Sequence, residues 1–431
     1  MKPTERALVH FDGDSFFASV EQALNYTLRG KPVVTGAERG AATAASYEAK
    51  RLGISRGMTM KQIKEMCPQV VIVNSDYRAY AIYAHRMYRI VRRYTPLVEE
   101  YSVDECFADI TGLDKAYGQS YAEIAEMIKK NLEEALGITF GVGLAPTKVL
   151  AKAASKFNKP AGFTHISKQT RRDYLAKVAI GQVWGVGRAI AAQLQELGIT
   201  TALEFADKSR EWMQSQHMHK IQFGLWHELN GTSVYNLVLT ARTDISSIIK
   251  SRTFSPPSTQ KAFVYSQLAK NVEAACEKAR THGVRARAVT VMLKTQSFTY
   301  GRVEITLPVA SADPRDLLRV IQPQFERLFR RGVEYRATGI TLRSIVPENT
   351  FTPDFFGEGA KTNLNLPVLK SIDAINSKYG GKSIFLGASM QAINYREKSR
   401  VKKEGQRKAK VLLSSEYKRK SIDIPFLGKA R

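Results

Sequence analysis

The sequence is poor in cysteine, poor in acidic residues relative to basic ones, and without a long apolar run. Its three cysteines, Cys67, Cys106 and Cys276, are isolated, so we expect neither disulfides nor a cysteine-based zinc site, and we expect a reducing compartment. No apolar segment is long enough to span a bilayer, and the N-terminus lacks the apolar core of a signal peptide. The sequence therefore predicts a cytoplasmic protein with no membrane association.

The shortage of acidic residues leaves a strongly basic chain. Lysine and arginine number 65 against 40 aspartates and glutamates, which gives a net charge of +25. Residues 1–242 hold 31 basic and 24 acidic side chains, whereas the remaining residues hold 34 and 16. This balance indicates a polyanionic partner, although basic charge alone would also suit a ribosomal or a membrane-surface protein. A chain of 431 residues is expected to form two to four domains.

Two acidic clusters each follow a short apolar run that reads as a buried strand. Asp12-Gly13-Asp14 follows the run 7–11, and Asp104-Glu105 comes shortly after Leu97-Val98. Carboxylates at the ends of adjacent strands repel one another unless cations lie between them, and hard oxygen ligands favour magnesium. Two metals on adjacent carboxylates suit in-line phosphoryl transfer. The alternative is that these are ordinary solvated loop residues.

Further motifs follow in a fixed order along the chain. They are Phe16-Phe17-Ala18-Ser19-Val20-Glu21, the segment 45–54 (ASYEAKRLGI), the segment 141–148 (GVGLAPTK) and Lys159-Pro160-Ala161-Gly162. Together with the acidic clusters, they make the chain resemble the Y-family (translesion) DNA polymerases. The stretch from Asp12 to Tyr47 is most similar to the DinB, or polymerase IV, branch. From Val183 onward the chain is more similar to UmuC, the polymerase V subunit.

The resemblance and the residue patterns together predict a mixed α/β (α+β), multidomain, right-hand polymerase. We expect a palm at 1–21 and 77–165, fingers at 22–76, a helical thumb at 166–240, a little finger at 244–346 and a basic, UmuC-like tail at 347–431. Apolar residues at helical spacing predict a helix from Tyr121 to Leu136. Residues 247–346 read as β-α-β-β-α-β, with helices at about 259–282 and 313–331.

The resemblance assigns the metal ligands. It implies that Asp12, Asp104 and Glu105 are catalytic and hold two Mg²⁺ ions, with a further oxygen from the Gly13 carbonyl. For Asp14, direct ligation and a supporting role behind the ligands both remain open. Gly13 stands where relatives carry a bulkier residue, so we expect a looser strand end.

The resemblance also assigns the nucleotide site. It implies that Tyr47 and Lys50 contact the β- and γ-phosphates, that Lys159 completes the phosphate site, and that Phe16 and Phe17 lie beside the incoming nucleotide. Phe17 would be the steric gate against ribonucleotides. The small residues 40–46 would roof the nascent base pair loosely and lower fidelity; the alternative is an alanine-rich start of a helix.

Several segments are candidates for DNA contact. Trp184-Gly185-Val186-Gly187-Arg188 reads as a helix-hairpin-helix turn, in which Gly185, Gly187 and Arg188 would contact a phosphate. In the second half, cations in strand-like runs could lie along phosphates or could form a solvated face: Lys250, Arg252, Arg285, Arg287, Lys294 and Arg302. The resemblance places a clamp-binding peptide at residues 350–356, but this segment lacks its glutamine, so clamp binding and its absence both stay open. Residues 396–410 are expected to form a basic arm, either helical or disordered.

The sequence thus predicts a low-fidelity, template-directed DNA polymerase that performs translesion synthesis in DNA repair and the SOS response by two-metal-ion nucleotidyl transfer. One alternative is a non-catalytic or partner-dependent, UmuC-like DNA-binding subunit. Another is a different palm enzyme, such as a reverse transcriptase or a nucleotide cyclase. The expected partners are primer-template DNA and deoxynucleoside triphosphates, with a sliding clamp, an UmuD-like protein and a RecA-like protein as candidates.

Overall fold

A computed structural model describes residues 6–239, 245–349, 366–379 and 383–395. These residues divide into two compact units, the first comprising residues 6–239 and the second comprising the rest. Each unit has its own apolar core. In the part of the chain that is described, no helix is both long and apolar enough to cross a membrane.

The first unit mixes short strands with helices. Its strands are β1 (Leu8–Gly13), β2 (Val33–Thr35), β3 (Ala44–Ala45), β4 (Val71–Val73), β5 (Val98–Ser102), β6 (Glu105–Asp109), β7 (Phe140–Ala145) and β8 (Phe163–His165). Its helices are α1 (Phe16–Leu24), α2 (Tyr47–Arg51), α3 (Met60–Met66), α4 (Tyr77–Val91), α5 (Leu113–Tyr117), α6 (Tyr121–Leu136), α7 (Lys148–Phe157), α8 (Arg171–Leu175), α9 (Arg188–Glu196), α10 (Ala202–Ala206), α11 (Arg210–Ser215) and α12 (Lys220–Leu229).

The main sheet has the order β5-β6-β1-β7-β8, with β1 antiparallel to both of its neighbours. All six residues of β1 are buried, as expected for an apolar run at the centre of a sheet. Side chains alternate across the sheet, so Val9 and Phe11 join the core formed with α4 and α6. His10 lies on the other face, where its Nδ1 is 2.8 Å from the Ser155 Oγ of α7.

Helix α7 packs unusually close to β7 because β7 contains two glycines. A Cβ atom at Gly143 would overlap the Ala151 carbonyl oxygen and the Ser155 amide. A Cβ atom at Gly141 would lie 2.7 Å from the Lys159 Cε. This close approach places the lysines of α7, and Lys159 beyond it, over the end of β1.

A smaller sheet with the order β3-β2-β4 packs against α2 and α3. Within the segment 40–46, Ala44 and Ala45 form β3, so the alternative that this segment begins a helix is wrong. Helix α2 begins only at Tyr47, where the Ser46 Oγ accepts a hydrogen bond from the Ala49 amide (3.3 Å). The small residues therefore form a strand and its flanking loop.

After β8, the rest of the first unit is helical, as predicted. Residues 234–238, near the last described residue of this unit, are held by two buried glutamates. The Glu228 carboxylate accepts hydrogen bonds from three backbone amides: Val149 at 3.1 Å, Val234 at 2.7 Å and Tyr235 at 2.8 Å. The Glu99 carboxylate accepts from the Lys148 Nζ (2.6 Å) and from the Val238 amide (2.9 Å). These bonds fasten residues 234–238 to α12 and β5, and they fasten α12 to α7.

The second unit confirms the predicted β-α-β-β-α-β order. Its elements are β9 (Ile248–Ser258), α13 (Lys261–Thr281), β10 (Val284–Thr295), β11 (Tyr300–Ser311), α14 (Pro314–Leu328), β12 (Tyr335–Pro347) and α15 (Leu366–Tyr379). The sheet has the order β11-β10-β12-β9, with every pair antiparallel. Helix α15 is joined to α13 by Asp373, which forms a two-pronged ion pair with Arg280 (both distances 2.7 Å).

Several predicted features lie outside the described residues. They are residues 241–243 between the predicted thumb and little finger, the possible clamp-binding segment 350–356 and the basic arm 396–410. The mixed α/β fold class is confirmed by the residues that are described.

Candidate active site

The two acidic clusters meet at the end of β1. In the register of β1 against β6, Asp12 lies opposite Glu105, and the Gly13 amide donates a hydrogen bond to the Asp104 carbonyl (2.8 Å). Asp104 occupies the tight turn between β5 and β6. Strand pairing therefore brings Asp12, Asp104 and Glu105 together from positions that are far apart in the sequence.

Asp12 sits in a mostly buried and electrostatically unfavourable position. Its carboxylate is 2.6 Å from the Lys159 Nζ, and the residue is 8% exposed. The pKa of Asp12 is raised to about 6 by the sum of several effects. Burial is the largest and raises the pKa, Lys159 lowers it, and the charges of Glu105 and Asp104 raise it. The positive charge of Lys159 therefore helps to keep the Asp12 carboxylate ionised.

Glu105 and Asp104 are held by neighbours that the sequence did not reveal. The Lys152 Nζ of α7 lies 2.6 Å from the Glu105 Oε2. The Ser102 hydroxyl donates to the Asp104 Oδ1 (2.6 Å) and lies 3.3 Å from Glu105. A usable signal was present, because lysines at 148, 152 and 156 share one face of a helix that follows a buried strand.

The donor chemistry of the cluster fits a hard divalent cation. Three carboxylates and the Gly13 carbonyl are oxygen ligands of the kind that magnesium prefers. Across the described ranges, however, no group of three or more aspartate, glutamate, histidine or cysteine side chains converges in a ready-made metal site. The carboxylates here face Lys159 and Lys152 instead. Metal ligation would require Asp12 and Glu105 to exchange these lysine contacts for the cation.

Asp14 is a buried connecting point for the phosphate-site residues. Its Oδ2 accepts hydrogen bonds from the Ala161 amide (2.7 Å) and the Thr139 hydroxyl (2.9 Å). Its Oδ1 lies 3.3 Å from the Tyr47 hydroxyl and 3.4 Å from the Lys159 Nζ. These contacts favour the supporting role for Asp14 over direct metal ligation.

Gly13 packs against the ring of Phe16, and this contact leaves no space for a side chain at position 13. A Cβ atom there would lie 2.7 Å from the Phe16 Cδ2, so the Phe16 ring fills the space that a larger residue would take. Phe16 is buried in the main core. The Phe16 ring packs directly against the backbone of Gly13, and the expectation of a looser strand end stays a prediction.

Phe17 differs from Phe16 in being only partly buried. Its ring stacks on Tyr80 with centroids 4.2 Å apart and an interplanar angle of 11°, and it meets the edge of Tyr77 at 5.7 Å. The Tyr80 hydroxyl donates to Glu21 (2.6 Å). Aromatic packing and this hydrogen bond fix the plane of Phe17 and leave part of it accessible.

Tyr47, Lys50 and Lys159 lie close to one another, as the sequence predicted. The Lys50 Nζ is 4.3 Å from the centroid of the Tyr47 ring, on the same side of α2. Tyr47 and Lys159 both contact the carboxylate of Asp14. The cationic groups and the tyrosine hydroxyl thus lie beside the acidic cluster.

A cluster of rings and lysines, absent from the sequence-based prediction, joins this site to the hairpin turn. The Trp184 Nε1 donates to the Tyr101 hydroxyl (2.9 Å), and the rings of Tyr101 and Trp184 meet edge to face at 5.4 Å. The Lys152 Nζ lies 4.4 Å from the Tyr101 centroid. Trp184 directly precedes Gly185, so the turn is anchored beside Glu105 through Lys152.

The glycines of the hairpin turn serve two different purposes. Gly185 has a φ of 93°, a backbone conformation that favours glycine, and it faces Leu225. Gly187 is the N-cap of α9, and a Cβ atom there would meet nothing within 4 Å. Gly187 and Arg188 are exposed, so the first amides of α9 are open to a phosphate.

The predicted DNA-contacting cations of the second unit occupy different environments. Lys250 and Arg252 lie on the edge strand β9, and Arg287 is exposed on β10. Arg285 departs from the prediction, because it is only 5% exposed and cannot present its guanidinium to a phosphate. A β-bulge between Ala286 and Ala288 interrupts the alternation on which that prediction relied.

Known proteins resemble this chain over most of its length. The chain matches the sequence model of the impB/mucB/samB family over residues 11–156 and that of the family's C-terminal domain over residues 245–355. It is 28% identical over 392 residues to a DNA polymerase IV of Caulobacter vibrioides, covering 89% of this chain and 94% of that relative. It is 30% identical over 349 residues to a DNA polymerase IV of Streptococcus pyogenes serotype M1, covering 79% and 94%.

A solved structure also resembles the chain. A Y-family DNA polymerase chimera superimposes with a TM-score of 0.65 at 23% identity, covering 79% of this chain and 99% of that one. This likeness shows a shared fold.

Proposed function

The chain belongs to the impB/mucB/samB family of Y-family DNA polymerases, of the DinB type, and from this premise we propose how its residues act. It is a DNA-directed DNA polymerase that performs translesion synthesis on a DNA template with nucleotide substrates, and it depends on divalent metal. The predicted right-hand fold with palm, fingers, thumb and little finger is confirmed. The polymerase is favoured over the non-catalytic, UmuC-like alternative.

We propose that the catalytic centre is the end of β1 with the turn between β5 and β6. This proposal rests on the pairing of β1 with β6, which sets Asp12 opposite Glu105. The hydrogen bond from the Gly13 amide to the Asp104 carbonyl brings the third carboxylate to the same place. Asp12, Asp104, Glu105 and the Gly13 carbonyl would hold two Mg²⁺ ions. Such ions lower the pKa of the attacking hydroxyl and neutralise the triphosphate when they are bound.

The remaining residues bind and orient the nucleotide. Tyr47, Lys50 and Lys159 would hold the triphosphate, and Asp14 keeps Tyr47 and the Lys159 loop in place through its hydrogen bonds. Phe17, braced by Tyr80, would lie under the sugar. The strand and loop at 40–46 would cover the nascent base pair with small side chains.

Duplex DNA would be held by sequence-independent contacts. The exposed amides at Gly187 and Arg188 suit a backbone phosphate, with Gly185 shaping the turn. Lys250, Arg252 and Arg287 would add phosphate contacts from the little finger. The proposed domain limits are those predicted from the sequence.

Primer extension by the purified chain alone, with magnesium, tests this function. We expect extension on an undamaged template and insertion opposite an abasic site. Extension only after an UmuD-like or RecA-like protein is added would support the partner-dependent alternative. A sliding clamp should raise processivity without being required for the first insertion. No nucleotide addition under any of these conditions would contradict the proposal.

A further inference from the structure

The turn between β10 and β11 carries two exposed aromatic rings surrounded by cations. Phe298 and Tyr300 are 58% and 49% exposed. The Lys294 Nζ lies 4.6 Å from the centroid of each ring. The Arg302 Cζ is 5.1 Å from the Tyr300 centroid, and the Arg336 Cζ is 4.4 Å from the Phe298 centroid. We call these five residues the aromatic–basic tip.

The backbone of the turn is firmly tied, so the tip is an ordered surface. Lys294 pairs with Tyr300 in the strand register, and the Thr295 and Thr299 hydroxyls lie 2.6 Å apart. Phe298 has a φ of 66°, which is uncommon for a bulky residue. Backbone strain of this kind concentrates at binding sites. Here it holds a large apolar ring in solvent rather than in the core.

The cations of the tip are available to a polyanion. Within the ranges that the structure describes, Lys294, Arg302 and Arg336 form no ion pair with a carboxylate. The nearby Glu304 is already engaged, with its carboxylate 2.8 Å from Arg343. Three positive charges therefore stand over the faces of two exposed rings with no acidic partner.

We propose that the aromatic–basic tip binds the unpaired template strand. Bases of single-stranded DNA would stack on Phe298 and Tyr300, while the cations contact the intervening phosphates. This inference rests on the proposed function, because a template-directed polymerase holds a strand that is unpaired beyond the primer. Ring stacking accepts any base, since every base has a flat face, and this tolerance suits a damaged template.

The chemistry favours single-stranded DNA over the other occupants. Bases in a duplex are already stacked on one another, so a duplex offers the tip only phosphates. Aromatic residues and arginines also anchor protein interfaces. Three cations without acidic partners favour a polyanion over an ordinary protein surface.

The first test measures binding of the full chain to three DNAs by fluorescence anisotropy: a blunt duplex, the same duplex with a short 5′ overhang, and the same duplex with a long one. Replacing both rings (Phe298→Ala with Tyr300→Ala) should weaken binding to the long overhang about tenfold, which corresponds to about 1.4 kcal/mol. Binding to the blunt duplex should not change. Tyr379→Ala, which removes an exposed ring from α15 of the same unit, is the matched control and should bind all three DNAs like the wild type.

A second test identifies the contact directly. 5-Iodouracil placed in the overhang should photocrosslink to Phe298 or Tyr300 in the wild type. An equal loss of affinity for the blunt duplex would overturn the proposal and indicate a phosphate-binding surface. No loss for any DNA, together with no crosslink at either ring, would overturn it in favour of a protein partner. Primer extension on the short overhang should persist in the double variant, which separates this proposal from the polymerase assignment.

Discussion

Phe17, the proposed steric gate, is held in one orientation by its neighbours. Its neighbour Phe16 is buried against Gly13, whereas Phe17 stacks on Tyr80 and keeps part of its surface accessible. Tyr80 is itself held by Glu21. A flat ring that cannot tilt away is suited to exclude a 2′-hydroxyl, since accommodating that group would require overpacking.

We therefore expect Phe17→Ala to raise ribonucleotide incorporation about tenfold or more, because overpacking costs about 1–3 kcal/mol. Deoxynucleotide incorporation should fall only modestly. Single-nucleotide insertion kinetics with matched ribo- and deoxynucleotides would measure both. Phe16→Ala is the control and should lower stability without changing the sugar preference. An unchanged preference in Phe17→Ala would show that the gate is misassigned.

The sequence indicates the candidate site residues more readily than the residues that support them. Asp12, Asp104 and Glu105 could be recognised because each cluster follows a short apolar run. The contacts of Asp14 with Thr139 and of Lys152 with Glu105 could not be predicted, because they join residues that are distant in the chain. The helix face shared by Lys152 and its neighbouring lysines marks these residues but does not reveal their partner. Local spacing carries no information on which helix will cover which strand end.

At the scale of elements, the close packing of α7 on β7 positions the lysines of the site. At Gly143 and Gly141 the helix and the residues just after it lie so close to the strand that no side chain larger than a hydrogen atom fits. Lys152 and Lys159 reach Glu105 and Asp12 because α7 lies this near to the sheet. The glycines of β7 therefore affect the site indirectly: they let α7 lie close to the sheet, and this brings the lysines to the carboxylates.

Gly143→Ala should destabilise the first unit, because its Cβ would overlap backbone atoms of Ala151 and Ser155 that cannot move independently. We expect a loss of about 1–3 kcal/mol or more in the free energy of unfolding, measured by denaturant titration. Gly187→Ala is the control for stability: its φ of −81° suits alanine and its Cβ would meet nothing. Equal stability of Gly143→Ala and the wild type would mean that α7 is free to shift.

Elements with strong local signals were predicted well. Helix α6 spans Tyr121–Leu136 as its periodicity indicated, and a capping box of Ser120 and Glu123 begins it. The segment at 40–46 was ambiguous, because small residues have no period and only pairing with β2 makes a strand of Ala44 and Ala45. The ion pair between Arg280 of α13 and Asp373 of α15 joins residues that are distant in the chain, and no local pattern reveals it.

At the scale of the whole molecule, charge and chemistry are divided between the two halves of the chain. The acidic cluster lies in the first unit, while most of the excess positive charge follows residue 242. Counterion release makes phosphate contacts the main source of non-specific affinity for DNA. The second half should therefore contribute affinity for DNA rather than catalytic residues.

A chain that ends at residue 239 keeps the backbone bonds of residues 234–238 to Glu228 and Glu99. It should bind primer-template DNA more weakly than the full chain and with a shallower salt dependence. Each lost phosphate contact should remove about 0.9 from the log–log slope. Anisotropy titrations over a range of salt concentrations would measure both quantities. Equal affinity and slope for the two chains would assign the basic half to protein partners instead.

The most direct measurement of the central claim is single-turnover nucleotide insertion with Asp104→Asn and Glu105→Gln, which remove charge while conserving shape. Both variants should lose insertion almost completely and should bind primer-template DNA nearly as tightly as the wild type, because ligands serve the chemistry and phosphate contacts supply the affinity. Glu100→Gln, which alters an exposed carboxylate on β5, should insert nucleotides normally. Substantial insertion by Asp104→Asn or Glu105→Gln would contradict the assignment of the catalytic centre.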